Sequence, residues 1–367
     1  MVDHDALTVA VTEASALDPT YAGPIGNFLL PSPPFGLARD ALHRMVRGLV
    51  GHSNAQELFG LLLPCGDGTA ETFDLETISA WFVWEAKRRP ASEVVADFGY
   101  LLDHREAEGL KVELIHGLKI ETAIDLGASL RLEPFSELPP SWQKNMLARR
   151  REFERYGIDR LSDPVALTIR FPISPSLANR DDERTFERHK KENAERQSLM
   201  NLVPLLLTLL GDGAPVASES WSQVTGRGVP SLGSPGYAWG FEDLGLMAHR
   251  PPTQIEPAEA QELTREFLAL PEKSRTRLEI PLRHLNRSRR QFTPEAAAID
   301  LRTALEALLV PDAGQEFTFK VSLFGAWMLG NDYEQRQKAF TRLNKAYGLG
   351  SQAVHGGKFR GNTDRRR

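Results

Sequence analysis

The side chains of this chain that stand out by type and spacing are cations, gathered at two places late in the sequence. Lys273, Arg275 and Arg277 lead through Arg283 to Arg287, Arg289 and Arg290, and a second run holds Lys358, Arg360, Arg365, Arg366 and Arg367. Guanidinium and ammonium groups at that density neutralise phosphates and release counterions, which is the chemistry of nucleic-acid binding. Taken singly, each run is also what a solvated helix face or a chain tail carries. The formal net charge of the 367 residues is −5, so these cations matter through their uneven distribution: acidic residues dominate positions 1–80.

Other chemistries find little support. Cys65 is the only cysteine, which rules out an intrachain disulfide and a cysteine-based zinc site and points to a reducing compartment. The nine histidines are scattered, with no His-Glu-x-x-His pair, and no Gly-x-Ser-x-Gly elbow occurs. Gly226, Gly228, Gly233 and Gly236 lack the Lys-Ser or Lys-Thr that would complete a phosphate loop. No metal and no cofactor is expected. Met1-Val2-Asp3-His4-Asp5 does not open a signal peptide, and the apolar run 199–210 is broken by Asn201, Pro204 and Thr208 and too short to span a bilayer. The expectation is a cytoplasmic protein with no membrane partner.

Composition places these residues in an ordinary globular chain, 41% hydrophobic and 25% charged, long enough for roughly two domains. Residues 38–52 carry Leu42, Met45, Val46 and Leu49 at helical spacing, and 75–87 reads as a second helix that Pro90 should interrupt. Short strands are expected across 111–132, and the alternation in 165–172, closed by Pro172, gives the clearest strand. Residues 181–210 read as one long helix entering a core. The stretch 211–240, rich in Gly, Ser and Pro with Trp221, Tyr237 and Trp239, reads as a functional loop or a connection. From Pro257 the pattern is helical: 258–270, 274–290 with a kink or break at Pro281, 294–309 with Thr293 as N-cap, 317–329 and 333–347. The fold class expected is therefore α+β, with a mixed region of unassigned fold over 1–255 and an all-α helical region over 256–367. Within the helices, Asp300 and Glu306 lie too far apart to share a face. Glu306 is expected in a hydrogen bond or salt bridge inside the bundle, and Asp300 by default on a solvated helix face, with a place near a cleft as the alternative.

Three pieces of the tail form a set: Ile299-Asp300-Leu301 leading into Ala304-Leu305-Glu306-Ala307-Leu308-Leu309, then Phe319 to Leu323 with Ala326-Trp327-Met328-Leu329-Gly330, then Ala346-Tyr347 and Ser351 with Val354-His355-Gly356-Gly357. Over 293–357 this set resembles the Apea-like branch of the HEPN (higher eukaryotes and prokaryotes nucleotide-binding) superfamily. The resemblance implies a short up-and-down helical bundle that forms a homodimer and takes RNA as its partner. Active members are metal-independent ribonucleases with an arginine followed four to six residues later by a histidine. A histidine titrating near neutrality can move the protons of 2′-hydroxyl attack, and a fixed guanidinium can stabilise the phosphoryl charge. The family histidine falls on His355, as candidate general acid/base, and the motif-adjacent serine on Ser351. The arginine position is Gly350. Loss of such a group typically costs roughly two to three orders of magnitude in rate. Phe324 likewise stands where the family favours arginine, and Lys345, Lys358 and Arg360 are the basic residues nearest the motif in sequence. Arg287, Arg289, Arg290, Lys358 and Arg360 are the candidate substrate-binding cations. Family members continue past the histidine into another helix, so the bundle is expected to be truncated after His355. The function implied is RNA binding with weak or lost ribonuclease activity, in a bacterial anti-phage defence or toxin-type system. The alternative is a catalytically inactive dimerisation or interaction module.

Overall fold

The computed structural model describes residues 4–17, 62–64, 70–72, 81–83, 85–103, 107–141, 143–144, 147–148, 164–173, 183–225, 238–239, 251–310 and 315–356. The expected helix 38–52, Cys65, Lys358 and Arg360 lie outside them. Helix α1 (His4–Leu17) and the hairpin β1 (Leu62–Pro64) and β2 (Ala70–Thr72) come first. Helical turns over 81–83 and 85–86 end before Pro90, whose carbonyl accepts from Glu93 and Val94 and so starts α2 (Ala91–Asp103). The break expected at Pro90 is present.

A sheet forms the middle of the molecule. Its strands are β3 (Ala107–His116), β5 (Ile124–Gly127), β6 (Leu130–Pro134), β7 (Val165–Ile173), β8 (Val216–Thr225) and β9 (Ala238–Trp239). They lie in the order β5-β6-β7-β3-β8-β9, every pairing antiparallel. β4 (Leu118–Lys119) and β10 (Thr253–Gln254) make a short parallel pair beside it. The strands expected in 111–132 and at 165–172 are there. β8 was expected as loop, and the structure corrects that reading: Trp221 is fully buried in a strand beside β3.

Period-two alternation gives β3 two different faces. Leu110, Val112 and Leu114 pack with Ala166, Trp221, Leu138 and Leu147 on one side. On the other, Ile115 joins Val165, Leu167, Ile169 and Phe171 in the main core, which α1, α2 and Ala260 complete. Lys111 and Glu113 share this second face and lie under α3 (Glu183–Leu207), the long helix expected over 181–210. Lys111 Nζ donates to Asn193 Oδ1 at 2.6 Å, and Gln197 Nε2 donates to Glu113 Oε2 at 3.2 Å. Further along α3, Met200, Val203 and Leu207 enter the core at helical spacing. The helix thus lies on the sheet by a polar start and an apolar end.

The remaining helices are α4 (Pro257–Ala269), α5 (Glu272–Arg290), α6 (Pro294–Leu309), α7 (Phe317–Leu329) and α8 (Tyr333–Val354). Thr293 caps α6 as expected, accepting from Ala296 N at 3.2 Å, and Asp332 caps α8 by accepting from Gln335 N at 2.8 Å. Pro281 lies inside α5 without ending it. Phe267 of α4 and Leu282 of α5 share a core with Leu206 of α3, while Val310, Val321 and Tyr347 hold α6, α7 and α8 together. The chain is α+β, with the sheet in the middle and a helical C-terminal region. Among the described residues no helix is long and apolar enough to cross a membrane.

Candidate functional site

The α6–α8 contact sets the position of the sequence-derived motif. The two helices run antiparallel, since Tyr347 bonds Glu306 while Gly350 lies against Arg302 and Ala298. α8 continues unbroken to Val354, seven residues past its expected end at Tyr347. Gly356, at φ 76°, closes it with the left-handed residue that favours glycine, and its N–H donates to Ala353 O at 3.2 Å. His355 is the exposed cap residue, its own N–H donating to Ser351 O at 3.3 Å, and Ser351 is half-buried.

Gly350 is buried inside the helix pair and does not face a cleft. A Cβ there would stand 2.7 Å from Arg302 Cβ and 2.9 Å from the Ala298 carbonyl oxygen, which belongs to the α6 backbone. The family arginine has no room at this position while α6 and α8 keep their spacing. Gly348, two residues earlier, has nothing within 4 Å of the same added atom. Opposite effects follow. Gly348→Ala should raise stability by about 0.5–1 kcal/mol through helix propensity. Gly350→Ala should lower it by roughly 1–2 kcal/mol, because forced separation of packed backbone outweighs the same propensity gain. Thermal unfolding of the two variants reads the signs directly, and shifts in the same direction would contradict this packing.

Arg302 fills the space beside Gly350 without replacing the missing arginine. Its Nε donates to Glu306 Oε1 at 2.8 Å, its guanidinium carbon lies 4.8 Å from the Tyr347 ring centre, and the Tyr347 hydroxyl also donates to Glu306. Burial, and then the Glu306 carboxylate, push the Tyr347 phenol up to about 12, so it stays a proton donor. Tyr347 is eight residues before His355, about 12 Å along a helix. The Arg302 guanidinium is therefore turned away from the motif histidine. Glu306 makes the intrabundle bonds expected of it.

The other side of α6 holds a cluster that the sequence reading missed. Asp300, expected on a solvated face, is buried. Its Oδ1 lies 3.1 Å from His284 Nδ1, and its Oδ2 accepts from Gln291 Nε2 at 2.7 Å and faces Arg287 Nε at 3.5 Å. Positions 284, 287 and 291 recur at the spacing that puts them on one face of α5. The three cations at the end of α5 have separate situations. Arg287 is 61% exposed. Arg289 turns inward, where Nη1 donates to the carbonyls of Thr208, Gly211 and, at 3.2 Å, Gly213. Arg290 is half-buried.

Helical rise relates the two clusters. Gly350 is level with residues 298–302, and His355 lies five residues further, about 7.5 Å on, near the start of α6. Positions 298 and 300 differ by about 200° around α6, so the α8 contact and the Asp300 cluster lie on opposite flanks. His355 thus lies near the start of α6, whereas His284 and Arg287 lie against Asp300 about midway along it and on the opposite flank, so the structure does not bring His355 and Arg287 together.

A buried set elsewhere resembles a nucleophile in composition only. His116 Nε2 lies 3.0 Å from Ser218 Oγ, but the Ser218 hydroxyl donates to Glu219, so its proton is not directed at the imidazole, and all three side chains are buried in the sheet. Among the described residues no group of three or more His, Cys, Asp or Glu side chains could hold a metal ion. Comparison of the chain with protein-family models, with curated proteins and with solved structures finds no match.

Proposed function

We propose that this chain is a HEPN-like RNA-binding protein whose metal-independent ribonuclease activity is weak or lost. The observation that carries the reading is the exposed guanidinium of Arg287 near the end of α5, next to His284 on the flank of α6. The exposed Arg287 and the positive end of the α6 dipole offer a polyanion complementary charge. Gly350, locked in the α6–α8 contact, supports loss of the motif's own phosphate-stabilising group. The family resemblance supports a bacterial anti-phage defence or toxin-type setting.

One observation favours the alternative of a dimerisation or interaction module. α7 is apolar around most of its circumference and buries Val321 and Ala326, yet Trp327 is 60%, Met328 70% and Leu329 69% exposed, beside exposed Phe324 and Tyr333. Large apolar side chains grouped in this way mark interaction surfaces. A single titration separates the readings. Fluorescence anisotropy with labelled single-stranded RNA over a salt series should give binding that weakens as salt rises. Arg287→Ala should lower the log–log slope by about 0.7 and weaken binding several-fold. Absence of binding, with a dimer in light scattering, would replace the RNA reading by the interaction module.

A further inference from the structure

Helix α7 is short of polar residues on every side. Lys320 is its only charged residue, and while Val321 and Ala326 are buried, its outward side carries Phe319, Phe324, Trp327 and Met328. A helix apolar around its whole circumference belongs in an interior. Those four residues and, just across the turn, Tyr333 are each 44–78% exposed, which for side chains of this size leaves roughly 700 Å² of mostly apolar surface. A standard interface takes about 800 Å² from each partner. Two of the rings are already held in place: the Arg336 guanidinium carbon lies 3.9 Å from the Trp327 ring centre, and Phe340 meets Phe319 edge to face at 6.0 Å. Aromatic side chains fixed before association lose little freedom when they bind.

We propose that this face docks a second copy of the chain, two α7 helices packing antiparallel about a twofold axis level with Trp327. The proposal rests on the dimerisation or interaction module reading above. Charges at the rim argue both for the copy and for its orientation. Lys320 precedes Trp327 by two turns, about 10 Å, on the outward stripe of positions 320, 324 and 327, while Asp332 and Glu334 follow it. An antiparallel pair sets Lys320 of each copy toward Asp332 and Glu334 of the other, whereas a parallel pair sets Lys320 against Lys320. A lipid surface with anionic headgroups would meet the same carboxylates unfavourably. The pairing also keeps the two motif histidines apart. His355 follows Arg336, the residue stacked on Trp327, by 19 positions along α8, which is about 28 Å of helix. The two His355 side chains therefore lie on opposite sides of the axis and cannot form one shared site.

The test uses the full chain carrying Cys65→Ser, so that no native thiol interferes. Light scattering over a dilution series should give a dimer. Trp327→Asp should weaken association about thirtyfold or more and leave the circular dichroism unchanged, since this side chain is 60% exposed. A short bismaleimide should join Met328→Cys subunits and leave His355→Cys subunits unjoined. A dimer indifferent to Trp327→Asp, or one joined through His355→Cys, overturns this pairing and leaves an interaction module on another surface. A monomer at about 100 µM overturns it as well. If that monomer pellets with vesicles of phosphatidylserine and phosphatidylcholine, the α7 face belongs to lipid; if it does not, the dimerisation reading falls together with the pairing.

Discussion

Arg289→Ala is expected to destabilise the chain by about 3 kcal/mol, while Arg287→Ala, two residues earlier in the same basic run, changes stability by less than about 1 kcal/mol. Arg289 spans the end of α3 and the turn after it, where helix-end carbonyls have no intrahelical donors. Its Nη1 serves Thr208, Gly211 and Gly213, and Asn286, one turn earlier, donates to Thr208 Oγ1 at 2.8 Å and to Pro215 O at 2.9 Å. Together they clasp α5 to the segment that leads from α3 into β8. Removing the guanidinium leaves carbonyls short of a charged donor and removes a cation from a helix C-terminus, both unfavourable. Arg287 has only a long contact to Asp300 and lies mostly in water. Urea unfolding of the two variants measures the contrast, and equal midpoints would refute it. The consequence for binding experiments is direct: loss of RNA affinity in a variant lacking Arg287, Arg289 and Arg290 together would report partly on unfolding.

That contrast also shows where sequence stops being informative. The run Arg287 to Arg290 was legible as charge, but a cation's role depends on which way its helix face points, and the α3–β8 turn that captures Arg289 is about 80 residues away in sequence. Strand β7 was legible because Val165 to Pro172 alternates apolar and polar residues. Strand β8 was not, since Ser218-Glu219-Ser220-Trp221-Ser222-Gln223 has no apolar face and turns part of its length toward the polar Lys111 and Glu113. The pairing of His284 with Asp300 had a usable signal that went unread. Thr293-Pro294 opens α6 right after α5, and antiparallel helices joined by a tight turn set residues equidistant from that turn side by side. Positions 284 and 300 are each eight residues from Phe292. Gly350 is the converse case. Its type was read as the loss of a functional arginine, but only the Ala298 carbonyl 2.9 Å from a would-be Cβ gives the physical reason for glycine there.

The stability gap between Glu113→Gln and the natural chain is expected to grow by about 3 kcal/mol in the variant's favour as pH rises from about 4 to about 8. Glu113 is buried between β3 and α3, and burial pushes its carboxyl up to about 7 against the donor from Gln197 and the charge of Lys111, both of which favour ionisation. Its Oε1 has no hydrogen-bond partner among the described residues. The folded chain therefore binds this proton more tightly than the unfolded chain does. The resulting stabilisation is fully present below about pH 4.5 and is lost as pH rises through about 7. Glutamine copies the neutral form at every pH, so comparing the two proteins cancels the carboxylates they share. Urea unfolding at three or more pH values supplies the difference. A gap that does not change with pH would mean that Glu113 ionises in the folded chain as readily as in water, which burial in this seam opposes. The same seam explains how α3 is held at its polar start: Asn193 and Gln197 pair with Lys111 and Glu113, and Met200 to Leu207 take over where the sheet turns greasy.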